Sequence, residues 1–350
     1  MGSESRNRYL LKNTLIFTLG NIGSRMISFF LIPLYTNVLT TSQYGTVDLI
    51  TTISTVAGPM LTLNIAESVM RFGLDKDADK EKNTQCGSIV LLIAMIIGLV
   101  LIPICRCITE VSDYAMYVYF YVISLSASQL FLCDLRGKEL LLKYSLGNIL
   151  QTLMIAILNI TFLLVFKMET GGYLLAYIIA NFIVAFYAII AGFGYIAFSF
   201  HNIDRCKLKE MIRYSVVLIP NTFMWWIMNS SDRVMVTYMI GAAANGIYAV
   251  SYKLPTLVST LTGIFNQAWS YSAIREEGTS DETEYNNKMF KTLSAIAFMM
   301  GIGLLLLTKP FLGVYVADSY YDAWKYTPFL IIGCVYLTLG TFMATSYTVH

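Results

Sequence analysis

The chain has 350 residues, of which 56% are hydrophobic and only 13% are charged. Soluble domains carry about 25% charged residues, so this chain has too little charge to cover a water-exposed surface of its size. A net charge of +2, from 24 Lys and Arg against 22 Asp and Glu, excludes a strongly basic nucleic-acid binder, and six cysteines are too few for a disulfide scaffold.

A helix needs roughly 20 mostly apolar residues to cross a bilayer. Stretches poor in Asp, Glu, Lys and Arg predict an all-α polytopic membrane protein with ten spans, at residues 13–35, 46–69, 84–104, 114–134, 144–166, 172–195, 213–235, 246–269, 289–308 and 325–347. The first is too long for the apolar core of a cleavable signal and lacks a small-residue cleavage site. The ten-residue alternation of an outer-membrane barrel is absent.

Basic residues set the orientation. The N-terminal tail and the even-numbered loops hold 17 Lys and Arg, and the odd-numbered loops hold 4. Both the N-terminus and the end after span ten are therefore predicted to be cytoplasmic. The longest loop, Tyr271 to Lys288, is acidic and falls on the same side. No loop has room for a soluble catalytic domain.

The chain reads as two lobes. The segment 201–210 links an N-terminal lobe, 1–200, with six spans, to a C-terminal lobe, 207–350, with four. The turn Leu39-Thr-Thr-Ser-Gln-Tyr-Gly45 after span one matches Ile240-Gly-Ala-Ala-Ala-Asn-Gly246 after span seven in position but little in identity. This is an internal repeat of topology.

Polar residues recur at helical spacing inside the spans. Span one has Thr14, Thr18, Asn21, Arg25 and Ser28; span two has Asp48, Thr52, Thr55, Pro59 and Thr62. Span eight has Lys253, Thr256, Thr260, Gly263, Gln267 and Ser270, and span seven, more loosely, Thr222, Trp225, Asn229 and Asp232. Each stripe alone is compatible with helix–helix glue. Stripes in matching places of both halves favour a central hydrophilic cavity. Arg25 lies deepest, about 20 Å along the helix past Lys12, where a guanidinium suits bidentate binding of phosphate or carboxylate or a structural ion pair. Lys253 fits the cavity or snorkels to the interface. Asp232 and Arg233 read as a local pair or anchor near the outer end, and Asp48 as a capping or paired acid. Glu67 and Arg71 read as an i,i+4 ion pair, and Asp134 and Arg136 as interfacial. The 24 tyrosines fit interfacial belts first. Two histidines with no Cys or carboxylate cluster predict no metal site, and no Gly-rich loop with a Lys is present to cradle phosphate, so no cofactor is expected.

Leu31-Ile-Pro-Leu-Tyr-Thr-Asn-Val-Leu-Thr-Thr-Ser-Gln-Tyr-Gly-Thr-Val-Asp-Leu-Ile50 resembles the end of helix one and start of helix two in bacterial polysaccharide flippases. Ser231-Asp-Arg233, Gly241, Gly246-Ile-Tyr-Ala249 and Lys253 resemble the start of their second half. This is the Wzx-like branch, serving O-antigen, capsule or teichoic-type polysaccharides, of the superfamily that also holds multidrug and toxin extrusion antiporters and lipid II flippases. The resemblance implies a two-lobed bundle of twelve to fourteen helices, so the ten spans here imply a C-terminally truncated chain. It implies flipping of a polyprenyl-diphosphate-linked oligosaccharide across the bacterial cytoplasmic membrane by alternating access. Partners implied are the lipid bilayer and that oligosaccharide, with polysaccharide polymerase and glycosyltransferases beside it, and no nucleic acid. The cavity candidates are Arg25, Asn21, Asp48, Lys253, Gln267, Asn229, Asp232 and Arg233, without catalytic residues. Rival readings are an ion-coupled multidrug antiporter, a lipid II flippase and, more distantly, a polytopic glycan transferase or polymerase.

Overall fold

The computed structural model describes residues 27–75, 78–107, 111–193, 204–276 and 282–349, except for the side chains of 264, 266–268, 270–283 and 345–349. Every regular element among them is helical. Asn21 and Arg25 lie outside the described residues, and so does the side chain of Gln267.

By packing, the chain forms two compact units, Met1–Asn245 and Gly246–His350. The first unit holds helices α1 (Ile32–Val38), α2 (Thr41–Leu61), α3 (Ile65–Gly73), α4 (Lys80–Arg106), α5 (Ala115–Gly137), α6 (Leu141–Ile160), α7 (Glu169–Ala191) and α8 (Arg205–Met239). A π turn, Thr161–Val165, continues α6. Helix α9 (Ala242–Ser251) begins at the end of this unit, and α10 (Pro255–Glu276), α11 (Glu282–Tyr315) and α12 (Thr327–Val349) follow in the second.

Six of these helices are long and apolar enough to cross a membrane, or seven if the bent pair α2–α3 is one span. Span one, 13–35, lies mostly outside the described residues; the other sequence-predicted spans map onto helices with three differences. Span two is broken. Thr40 and Gln43 form a reciprocal capping box that starts α2 at Thr41, five residues earlier than expected. Pro59 removes a backbone donor, Leu63 and Asn64 adopt left-handed φ of 51° and 56°, and α3 leaves at 59° to α2. Span eight is broken as well, since α9 stops at Ser251 and Pro255 opens α10. Lys253 lies in the break, off the helix, whereas the rest of its polar stripe, from Thr256 to Ser270, runs along α10. Finally, the acidic loop is mostly helical, because α10 runs to Glu276 and α11 starts at Glu282.

Helix α5 is the centre of the first unit. Leu130 and Leu135 are fully buried in it, packed in one cluster with Ile65 and Val69 of α3, Val184 and Ala188 of α7 and Met211 of α8. At the crossing of α3 and α5, a Cβ added to Gly73 would lie 2.9 Å from the Gly137 Cα, so both positions need glycine for the backbones to approach. Lys138 and Lys143 donate to the terminal carbonyls of α7, at Gly192 (2.9 Å) and Ala191 (2.7 Å). By contrast Ile93, Ile96, Ile97, Val100 and Ile104 of α4 stay exposed, an apolar face suited to lipid. Tyr35, Tyr44, Tyr121 and Tyr173 are buried, and the Tyr35 ring centre lies 6.1 Å from that of Tyr44 and 4.9 Å from that of Tyr173, so these are core residues instead of a belt.

In the second unit α10, α11 and α12 pack on Val258, Ala297 and Val335, and Trp269 stacks on Phe342 at 4.0 Å. The hydroxyls of Thr262 and Thr338 meet at 3.2 Å across α10 and α12.

Candidate functional site

Helix α8 is too polar to be read as a simple lipid-facing span, and the structure accounts for its polarity. It is joined to α2 and α3 along its length. Ser68 donates to the Met211 carbonyl (3.0 Å), Asn64 Nδ2 to Thr222 Oγ1 (3.2 Å), and Trp226 Nε1 to the Thr52 carbonyl (2.9 Å). Nearer its C-terminal end, the Arg233 guanidinium donates to Asp48 Oδ1 at 2.9 Å, with side chains 19% and 7% exposed. Asn245 Nδ2 donates to the Gly45 carbonyl (2.9 Å) and reaches Asp48 Oδ2 (3.4 Å). Asp48 is thus an ion-pair partner as one of its expected roles required. Beyond the expected local contact, in which Asp232 accepts the Arg233 backbone N–H (2.9 Å), the guanidinium crosses to α2. A carboxylate in a protein interior needs such a partner, and the adjacent Asp232 lies on another face of the helix. Asn229 donates to the Trp225 carbonyl of its own helix (2.8 Å).

The polar stripe of α2 divides between glue and cavity. Asp48 and Thr52 are buried, facing α8, whereas Thr55 is exposed and lines a cavity of about 340 Å³ within the first unit. The cavity is an open one, lined by α2, α3, α5 and α6. Its polar lining is Thr55, Glu67, Ser128, Gln129, Arg136, Asn148 and Gln151, with Tyr144 and Cys133 beside them. Polar groups cannot face hydrocarbon cheaply, so a polar concavity on a membrane-embedded unit marks a water-filled path or a ligand site.

One expectation is overturned here. Arg71 pairs with Asp75 (2.6 Å) and not with Glu67, because Glu67 turns to the cavity. Asp134, in the last turn of α5, is buried. It is 3% exposed and held by Thr84 Oγ1 (2.5 Å) and Lys138 Nζ (2.7 Å), while Arg136 reaches the cavity with its guanidinium 5.5 Å from the Tyr144 ring centre. Gln129, Asn148 and Gln151 were missed by stripe reading of spans one, two, seven and eight. Their signal is present in the sequence: Gln129, Cys133 and Arg136, and Tyr144, Asn148 and Gln151, each follow steps of four and three. Gln151 is set by its hydrogen bond to Asn181 Oδ1 (2.7 Å), whose own amide reaches Ser124 (3.4 Å).

Lys253 and Gln267 belong to the second unit. Lys253 sits in the α9–α10 break, its backbone N–H bonded to the Val250 carbonyl (3.0 Å). Among the described residues no group of three or more His, Cys, Asp or Glu is placed to hold a metal ion.

With the fold and the cavity in view, comparison with known proteins decides the family. The model of the polysaccharide biosynthesis protein family matches residues 10–271. The chain belongs to this family. No curated protein matches it. Among solved structures it is similar to a MATE protein in complex with MaD3S, at 13% identity and TM-score 0.59, over 97% of this chain and 81% of that one. It is similar to a mutant of the Vibrio cholerae MATE transporter VcmN, at 14% identity and TM-score 0.57, over 99% and 86%. An outward-facing multidrug resistance MATE family transporter of the MOP superfamily gives 14% identity and TM-score 0.57, over 96% and 79%. At these identities the likeness is one of fold. This family member is a multi-pass, all-helical membrane protein with a MATE-like fold.

Proposed function

We propose that the chain flips a polyprenyl-diphosphate-linked oligosaccharide from the cytoplasmic to the outer leaflet of a bacterial cytoplasmic membrane, for surface polysaccharide assembly. The observation that carries this reading is the polar cavity of the first unit in a member of the polysaccharide biosynthesis family. A drug antiporter for cations favours an excess of buried carboxylate, and this lining balances its one acid, Glu67, with Arg136. The lobes 1–200 and 207–350 rock about the 201–210 segment to expose the cargo alternately, with the N-terminus cytoplasmic. Arg25 and Lys253 receive the diphosphate, Lys253 from a helix break of the kind that builds transporter binding sites. Asn21 and Gln267 complete the polar path on the same two spans. The Asp48–Arg233–Asn245 cluster, with Asp232 and Asn229 on the same helix as Arg233, closes the outer end between transport steps. Polysaccharide polymerase and glycosyltransferases act on the same cargo before and after it.

The test is a deletion strain of the encoding organism in which lipid-linked oligosaccharide is assigned to a leaflet. Accumulation in the cytoplasmic leaflet, with loss of surface polysaccharide and rescue by the intact gene, is expected. Normal distribution with altered sensitivity to cationic drugs would move the assignment to an antiporter. Arg25→Ala and Lys253→Ala are each expected to fail in rescue; full rescue by both removes them from the diphosphate site.

A further inference from the structure

The cargo proposed above has three chemically distinct parts: an apolar tail, a diphosphate that is anionic at neutral pH, and a polyol glycan. The cavity lined by α2, α3, α5 and α6 does not suit all three equally. Its charged lining is one carboxylate, Glu67, and one guanidinium, Arg136, the latter beside the Tyr144 ring. A diphosphate needs cationic donors in surplus and is repelled by a carboxylate at the same wall. An isoprenoid tail needs an apolar groove. What the cavity offers in quantity is carboxamide: Gln129 from α5, Asn148 and Gln151 from α6. Each carboxamide carries two N–H donors and a carbonyl acceptor on adjacent atoms, which matches sugar hydroxyls that donate and accept at once. One of the three is preset, since Gln151 Nε2 is held by Asn181 (2.7 Å) and Asn181 by Ser124 (3.4 Å). Fixing an amide before the ligand arrives lowers the ordering cost of binding. At about 340 Å³ the cavity is at the small end of ligand pockets, which run from about 300 to 1,000 Å³, so it holds a terminal part of a glycan and not a whole repeat unit.

We propose that this cavity is a subsite for the neutral saccharide portion of the cargo, and that Gln129, Asn148 and Gln151 are its specificity-determining residues. Glycan recognition is thereby separated within the protein from diphosphate recognition. The inference rests on the transport reading, and the experiment keeps the two apart.

The full chain is reconstituted in proteoliposomes. Flipping is measured for two lipids that share one polyprenyl diphosphate: one bears a single sugar, the other a neutral oligosaccharide. Gln129→Ala and Asn148→Ala are expected to slow the oligosaccharide lipid by about tenfold, equivalent to one or two lost hydrogen bonds, with the single-sugar lipid slowed far less. The nearly isosteric Gln129→Glu and Asn148→Asp, which keep the shape but remove the N–H donors, are expected to reproduce this selectivity if an alanine variant proves unstable. Equal slowing of both lipids in a variant of unchanged Tm overturns the subsite, as does no slowing of either. If the wild-type chain flips neither lipid, the transport reading fails and the subsite falls with it.

Discussion

The Asp48 carboxylate lies 6% exposed and draws its partners from two other places in the chain, Arg233 and Asn245. Removing one member of such a pair leaves the other charge desolvated and uncompensated. Asp48→Ala is therefore expected to lower stability by about 3 kcal/mol, and the Asp48→Leu, Arg233→Met double variant to recover much of that loss. Thermal unfolding of the detergent-solubilised chain, run as a double-mutant cycle, gives the coupling; simple additivity of the two single variants would rule out the pair. Glycines make a second test at this scale. Gly73→Ala pushes a methyl against the Gly137 backbone and is expected to cost about 1–3 kcal/mol. Gly263, in α10, has nothing within 4 Å of an added Cβ, so Gly263→Ala is expected to be neutral or to stabilise by up to about 1 kcal/mol through helix propensity. Comparing the two Tm shifts checks the sign of each.

Elements in this protein are defined by how they start and stop as much as by their apolar runs. Both spans that follow the repeated turn are interrupted, span two by Pro59 and the left-handed pair Leu63 and Asn64, span eight before Pro255. Asn64→Val and Asn64→Gly both delete the amide bond to Thr222, but only valine is strained at φ 56°. The valine variant is expected to be less stable than the glycine variant by about 1–2 kcal/mol in urea or thermal unfolding; equal stabilities would mean that the bend does not depend on this residue. Helix α4 starts on Asp79, whose carboxylate accepts the Lys82 backbone N–H (3.2 Å). That bond, and the Lys82 ammonium behind it, hold the Asp79 carboxyl below the ordinary carboxylate range. A depressed carboxyl stabilises the fold above its unfolded-state pKa, near 4, and loses that contribution as the pH falls through the lower folded value. Asp79→Asn is expected to remove this part of the acid-side fall in stability below about pH 4 while keeping most of the cap. A pH series of unfolding on both proteins measures it.

At the scale of the whole molecule, the first unit has two kinds of outward surface. Helix α4 presents isoleucine and valine, with Val100 71% exposed, and the face around Gln129 and Thr55 presents amide and hydroxyl. In a chain whose six native cysteines are serine, Gln129→Cys is expected to react with a water-soluble maleimide and Val100→Cys to resist it in membranes. Reaction of both at one rate would contradict a hydrated cavity beside a lipid face.

The all-helical membrane architecture was legible in the sequence because it is a local property: apolar run length against bilayer thickness, caps and prolines each act within a few residues. Membership of the polysaccharide biosynthesis protein family was legible in the two motif stretches, each a turn that joins two spans. The individual cavity residues were only partly legible. Spacing placed Asp48, Thr52 and Thr55 on one stripe, but only packing against α8 made the first two glue and left the third in the cavity. Glu67 lies four residues before Arg71 yet turns away from it, and Asp134, read as an interfacial acid, is bridged by Thr84 from fifty residues earlier. Sequence spacing fixes which residues share a helix face. Which neighbour that face meets depends on contacts between segments far apart in the chain, so the ion-pair partners and the lining of the cavity were decided by the tertiary structure.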